Sequence, residues 1–150
     1  MAKVTRHAGN GLKHGRATLT FNGTTVGDVG TDVVFTTTGR VRVHMLSAYC
    51  TTVLAGATAT LQLGTTGDID AFIAITTATD VAIDEWWTAA VPAAGSKSPL
   101  KVETGGLVTS QVDKLVNENI ILTVGTAAIT SGVVVFDVWY EPITDNGALS

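Results

Sequence analysis

Apolar and polar residues alternate with a period of two along most of this chain, and this pattern constrains the fold more than any other feature. The clearest example is the segment 133–140, whose side chains divide into two rows. One row is Val134, Phe136, Val138 and Tyr140, and the other is Val133, Val135, Asp137 and Trp139. Successive side chains of a β-strand point to opposite faces, so the alternation predicts a strand with both faces largely apolar.

Shorter alternating runs fill much of the remaining chain and are separated by turn residues. One run, 17–21, ends at the dipeptide Asn22-Gly23, whose residues tolerate the positive φ of tight turns. Another run predicts a strand with Val41, Val43 and Met45 on one face and Arg40, Arg42 and His44 on the other. About eight such strands, with no convincing amphipathic helix, predict an all-β fold: an antiparallel β-sandwich or jelly roll.

The first 16 residues differ from the rest in charge and in pattern. They contain the cations Lys3, Arg6, Lys13 and Arg16, and no carboxylate occurs before Asp28. Because they show no periodicity, we expect an extended basic arm over residues 1–16 and a single β-sandwich domain over 17–150. The rest of the chain is mildly acidic, with a net charge of −4 overall. We expect the arm to dock on an acidic surface of a partner; a solvated tail is the alternative.

Few charges are available to keep the surface of this domain separate from other molecules. Only 15% of the residues are charged, against about 25% in ordinary soluble domains. We therefore expect part of the surface to be covered by copies of the chain or by a partner. The interface candidates are Trp86, Trp87, Val135 and Trp139. The two adjacent tryptophans point to opposite faces of a strand, so one is expected in the core and the other against a neighbour; core packing is the alternative for each tryptophan.

The sequence favours a binding protein over an enzyme. His44 lies beside arginines on the polar face of a strand, and no nucleophile or metal motif surrounds it. Asp68 and Asp70 are interpreted as turn residues rather than calcium ligands. The arm lacks the aromatic residues that interleave with cations in many nucleic-acid sites, and no apolar run reaches the roughly 20 residues that cross a bilayer. We expect no cofactor, nucleic-acid partner or membrane partner, and we expect the single cysteine, Cys50, to be a small buried residue.

Two stretches resemble the small virion proteins of tailed bacteriophages. They are TATLQLGTTGDIDAFIAITTATDVAIDE, residues 58–85, and NENIILTVGTAAITSGVVVFDVWYEPITDNG, residues 117–147. The resemblance covers about the C-terminal two thirds and leaves the arm outside. It implies a capsid decoration (cement) protein, made in the bacterial cytoplasm, that binds the major capsid protein on the outside of the head and stabilises it. It also implies a homo-oligomer, with a trimer favoured, and provides no active-site residues.

A component of a tail or head fibre that binds a receptor or carbohydrate is the alternative. Sandwich folds carry such sites on their end loops, and an exposed Trp86 or Trp87 would stack on a sugar.

Overall fold

The structure, a computed structural model, describes residues 11–90 and 111–150. Within those ranges it contains a 3₁₀ turn, Ala78–Asp80, and eleven strands. The strands are β1 (Lys13–Thr20), β2 (Gly30–Phe35), β3 (Thr37–Thr38), β4 (Val41–Ala55), β5 (Thr60–Thr65), β6 (Asp68–Thr77), β7 (Glu85–Trp86), β8 (Val112–Val116), β9 (Ile120–Gly125), β10 (Ser131–Pro142) and β11 (Ala148–Leu149). In the described part of the chain, no helix is long and apolar enough to cross a membrane.

The strands form an antiparallel sandwich, which confirms the predicted all-β fold. Sheet A has the order β1-β10-β4-β7, with β8 pairing to another stretch of β4. Sheet B has the order β2-β9-β5-β6, and a small third sheet joins β11 to β3. The described ranges hold more strands than the expected eight because β3, β7 and β11 are each two residues long, too short to produce a visible alternation.

The core lies between sheets A and B and is built from their inward rows. The predicted inward row of β10 is confirmed, since its four members are at most 5% exposed. Sheet B contributes the fully buried side chains Leu63, Phe72 and Leu122. Each fully buried side chain of this size stabilises the fold by about 1.5–3 kcal/mol relative to an exposed one. Cys50, on β4, is also completely buried, as expected, and its Sγ donates to the Thr52 carbonyl oxygen at 3.2 Å.

The predicted face of Met45 is wrong. Val43 pairs with the inward residue Tyr140, whereas Met45 pairs with the outward residue Trp139. The register shift between these pairs leaves His44 as an extra residue, as in a β-bulge. The bulge reverses the alternation, so Met45 points outward and Leu46, which is fully buried, points inward.

The predicted boundary of the arm also needs correction. Strand β1 begins at Lys13 and pairs with β10 over its whole length, so the residues from Lys13 to Arg16 belong to sheet A. A glycine suits position 15 because β1 packs closely on β10 there: a Cβ would lie 3.1 Å from Val138 Cγ1. The arm residues Lys3 and Arg6 lie outside the described residues.

Candidate interaction surface

The outward row of β10 and its neighbours form a surface that we call the aromatic face. It consists of Met45, Tyr49, Trp86, Val135 and Trp139, all half-buried. The strand register places them in two groups on this side, Trp139 beside Met45 and Tyr49 beside Val135 and Trp86, with the Asp137–Ser47 pair between the groups. Three of the four interface candidates therefore lie together on one side of sheet A.

The rings of the aromatic face are held by neighbouring rings. Tyr49 and Trp86 meet edge to face, with centroids 4.7 Å apart and planes at 61°. Trp139 lies against the imidazole of His14 on β1, with centroids 4.8 Å apart. Such ring pairs contribute about 0.5–1.5 kcal/mol beyond the burial of their area, so these side chains are partly fixed before any partner arrives.

Trp87, the fourth interface candidate, belongs to the core instead. It is 0% exposed, and its indole Nε1 donates to Thr76 Oγ1 at 3.0 Å. The main chain around it continues the pairing with β4, because Trp87 N donates to Ala48 O. The structure thus resolves which of the two adjacent tryptophans faces outward: Trp86.

A buried carboxylate, between Val135 and Trp139 in the outward row, links β10 to β1 within the aromatic face. Asp137 accepts from Arg16 Nε at 2.8 Å and from Arg16 Nη2 at 3.1 Å, and its Oδ1 lies 2.6 Å from His14 Nε2. Burial acts to raise the pKa of Asp137, but the hydrogen bonds from Arg16 and His14 outweigh it and lower the pKa below its usual value. The bidentate pair also raises the pKa of Arg16.

This pairing changes the role assigned to Arg16. Arg16 was expected in an arm that docks on the acidic surface of a partner, yet it contacts an aspartate of its own sheet. Sequence reasoning did not find the pair, because Asp137 is 121 residues away and only the β1–β10 register brings the two side chains together. The Arg16 side chain remains 64% exposed, so much of it still faces solvent.

A second polar cluster lies on the same side of sheet A, where β4, β8 and β10 meet. Arg42 Nη2 donates to Asp113 Oδ1 at 3.0 Å, and Arg42 Nη1 lies 3.6 Å from Glu141 Oε1. His44 Nε2 lies 3.4 Å from Glu141 Oε2. All these side chains keep about a third or more of their surface exposed, so the cluster is a solvated ion-pair group. No group of three metal-ligating side chains lies together in residues 11–90 and 111–150.

The outward side of sheet B carries exposed aliphatic residues that the sequence analysis did not single out. Val33, Ile69 and Ile75 are 51%, 42% and 59% exposed. The start of β6 crosses close over Gly64, where a Cβ would collide with the backbone of Asp68 and Ile69. Register shifts between β5 and β6 accompany this crossing, so this side of the sandwich is irregular.

The fold is shared with a protein from a virus particle. Comparison with protein-family models gives no match, and no curated protein matches the chain. A chain of the solved structure described as the capsid asymmetric unit of cyanophage Pam1 matches with a TM-score of 0.52 and 18% sequence identity. The match covers 94% of this chain and 91% of that one. At this identity the likeness establishes a common fold over nearly the whole described sandwich.

Proposed function

We propose that this protein is a structural virion protein of a bacteriophage, a decoration protein that binds the outside of the head and stabilises it. The shared fold with a chain of a cyanophage capsid structure supports a virion role. The role is one of binding, without a chemical step and without a cofactor, nucleic acid or membrane. The partner is the major capsid protein.

The aromatic face is the observation that carries this proposal. Tyr49, Trp86, Val135 and Trp139 are only half-buried although they lie on a continuous sheet. Exposed apolar side chains concentrated on one side of a protein mark interaction sites, and tryptophan and tyrosine are enriched among the residues that dominate binding energy. Repeated around a shell, even modest contacts of this type combine into tight attachment.

The first experiment tests where the protein binds. Purified protein is mixed with heads that lack it, taken from the phage that encodes it, and the mixture is sedimented and imaged by electron cryomicroscopy. We expect ordered density on the outer surface of the shell. Heads that bring down no protein at saturating concentration would contradict the proposal.

Two matched variants test which surface binds. Trp139→Ala removes one of the two indole rings of the aromatic face, and we expect its affinity for heads to fall by about tenfold or more, as for an interface residue that dominates binding energy. Ile75→Ala removes an apolar side chain on sheet B that is 59% exposed and should bind as the unmodified protein does. Equal binding by both variants would remove the aromatic face from the proposal.

Stabilisation is measured separately from binding. Decorated heads are expected to release their DNA at a higher temperature than undecorated heads. Identical release temperatures at full occupancy would show a bound protein that does not stabilise the shell.

A fibre component that binds a glycan is the second candidate, and the edge-to-face pair Tyr49–Trp86 favours it. Trp86 is half-buried, so a ring remains available for stacking on a sugar. Glycan-array binding that Trp86→Ala abolishes, together with density at fibre tips rather than on the shell, would select this function over decoration.

A further inference from the structure

Strand β1 is an unusually regular edge of the sandwich. Within the described residues it has β10 on one side and no paired strand on the other. Its register with β10 runs from Lys13 to Thr20 without a shift. The other edges are interrupted: β2 and β6 carry register shifts, β7 has two residues, and β8 contains Asp113 at a φ of 54°. Bulges and short lengths protect edge strands from pairing with other chains, and β1 has neither protection.

The direction of the free main-chain groups of β1 follows from one hydrogen bond. Phe21 N donates to Gly132 O at 2.9 Å, so Phe21 directs its polar groups toward β10. The N–H and C=O groups of one residue in an antiparallel strand point to the same side, and the side alternates along the strand. Leu19, Ala17 and Gly15 therefore bond to β10, whereas the even-numbered residues from His14 to Thr20 present theirs to the open edge.

On the outward row of β1, charge, the remaining protection of an edge strand, is largely balanced, whereas Lys13 at the start of the strand is a further cation. Arg16 and His14 both face Asp137, which lies on the same sheet. The carboxylate offsets the positive charge that would otherwise repel an approaching strand of the same composition. Thr18 and Thr20, the other outward residues of β1, are neutral.

We propose that β1 of one copy pairs antiparallel with β1 of a second copy, about a two-fold axis that passes at Ala17. In this register Arg16 of each copy lies opposite Thr18 of the other, and His14 lies opposite Thr20. On the core-facing side, Leu19 lies opposite Gly15. The four hydrogen-bonded residue pairs supply about eight main-chain hydrogen bonds.

Neighbouring registers are less favourable. An axis at Arg16 places two guanidinium groups directly opposite each other, and like charges in this position destabilise a strand pair. An axis at Thr18 pairs only residues 16–20 of β1 with each other and leaves Lys13, His14 and Gly15 opposite residues beyond the end of the strand. The register at Ala17 is the one that combines the longest pairing with no opposed like charges.

The pairing joins sheet A of both copies into one continuous sheet. Because the contact is two-fold and uses the same patch on both copies, it yields a dimer, whereas the resemblance noted above favours a trimer. The inference does not depend on the proposed function, since it concerns only contacts between copies.

Sedimentation velocity of the full-length protein over a range of concentrations tests the pairing. We expect a concentration-dependent dimer. Thr18→Pro removes an N–H that faces the open edge, a position at which an edge strand tolerates proline, and should yield a monomer with unchanged circular dichroism. Thr18→Ala keeps the N–H and should dimerise normally. A wild-type monomer at every concentration, a trimer, or a dimer that Thr18→Pro leaves intact would overturn the proposal.

A charge pair at the same position tests the register without altering the main chain. Thr18→Arg places a cation opposite Arg16 of the other copy at two symmetric positions, so we expect the dimer to weaken by about tenfold. Thr18→Glu places a carboxylate there and should tighten it. The same response to both substitutions would rule out the register centred on Ala17, and this comparison stands even if Thr18→Pro fails to fold.

Discussion

The outward sides of sheets A and B both expose apolar residues, but they hold them differently. On sheet A, Trp139 and Trp86 are each in contact with another ring, and the outward-pointing Asp137 is only 8% exposed. On sheet B, Val33 and Ile75 project from strands with irregular register and are more than half exposed.

This difference shows why exposure alone does not identify a binding surface. Isolated exposed aliphatic residues are common on soluble proteins. A side chain that is already fixed loses less conformational freedom when a partner binds. The aromatic face therefore offers a partner apolar contact area on side chains that are already fixed. The outward side of sheet B offers apolar contact area only.

The largest expected effect is the difference in stability between alanine variants on the inner and outer sides of sheet A. Trp87→Ala empties a fully buried site and leaves Thr76 Oγ1 without its indole donor, so we expect a loss of about 3–5 kcal/mol in unfolding free energy. Trp86→Ala removes a half-buried ring and should cost about 1 kcal/mol. Urea unfolding followed by circular dichroism measures both. A comparable loss for Trp86→Ala would show that the aromatic face contributes to the stability of the fold. It would then no longer stand out from sheet B as a surface kept for binding.

An intermediate effect is expected at Gly64, where the backbone at the start of β6 lies very close to β5. Gly64→Ala forces a Cβ against the main chain of Asp68 and Ile69, so the crossing segment must shift, at a cost of about 1–3 kcal/mol. Gly11→Ala is the matched control, because a Cβ there meets no atom within 4 Å. Thermal unfolding of both variants is the measurement. Equal midpoint temperatures would mean that the segment over Gly64 shifts without a cost in stability.

The smallest expected effect depends on pH and tests how the aromatic face is anchored. The pKa of Asp137 is lower in the folded state, so its pairing stabilises the fold above the unfolded pKa of about 4 and is lost as the pH falls through the folded pKa. We expect wild type to exceed Asp137→Asn in unfolding free energy above about pH 5, and the difference to shrink below about pH 4. Asp68→Asn, at the exposed start of β6, is the control. A pH-independent difference would assign the loss to packing rather than to charge.

The fold was predictable where side chains follow the alternation without interruption. The two rows of β10 and the opposite directions of Trp86 and Trp87 follow from strand geometry alone. The alternation failed at His44, because a bulge depends on the partner strand and leaves no mark in the local pattern.

The candidate surface was predictable only in part. Trp139 lies on a strand with two apolar rows, and Trp86 is one of two adjacent tryptophans; both are signals in the sequence itself. The choice between Trp86 and Trp87 depends on what each side of sheet A packs against, and the Arg16–Asp137 pair depends on a register between distant strands. Lys13 and Arg16 were assigned to an arm because glycine and charge hide a strand whose outward row is polar.

The environment of Cys50 bears on how the protein tolerates oxidation. Burial raises the pKa of this thiol, and a protonated sulfur is a poor nucleophile toward disulfides and oxidants. Enclosed beneath sheet A, it is also out of reach of a thiol on another molecule. This burial protects the thiol from cross-linking to other molecules under oxidising conditions.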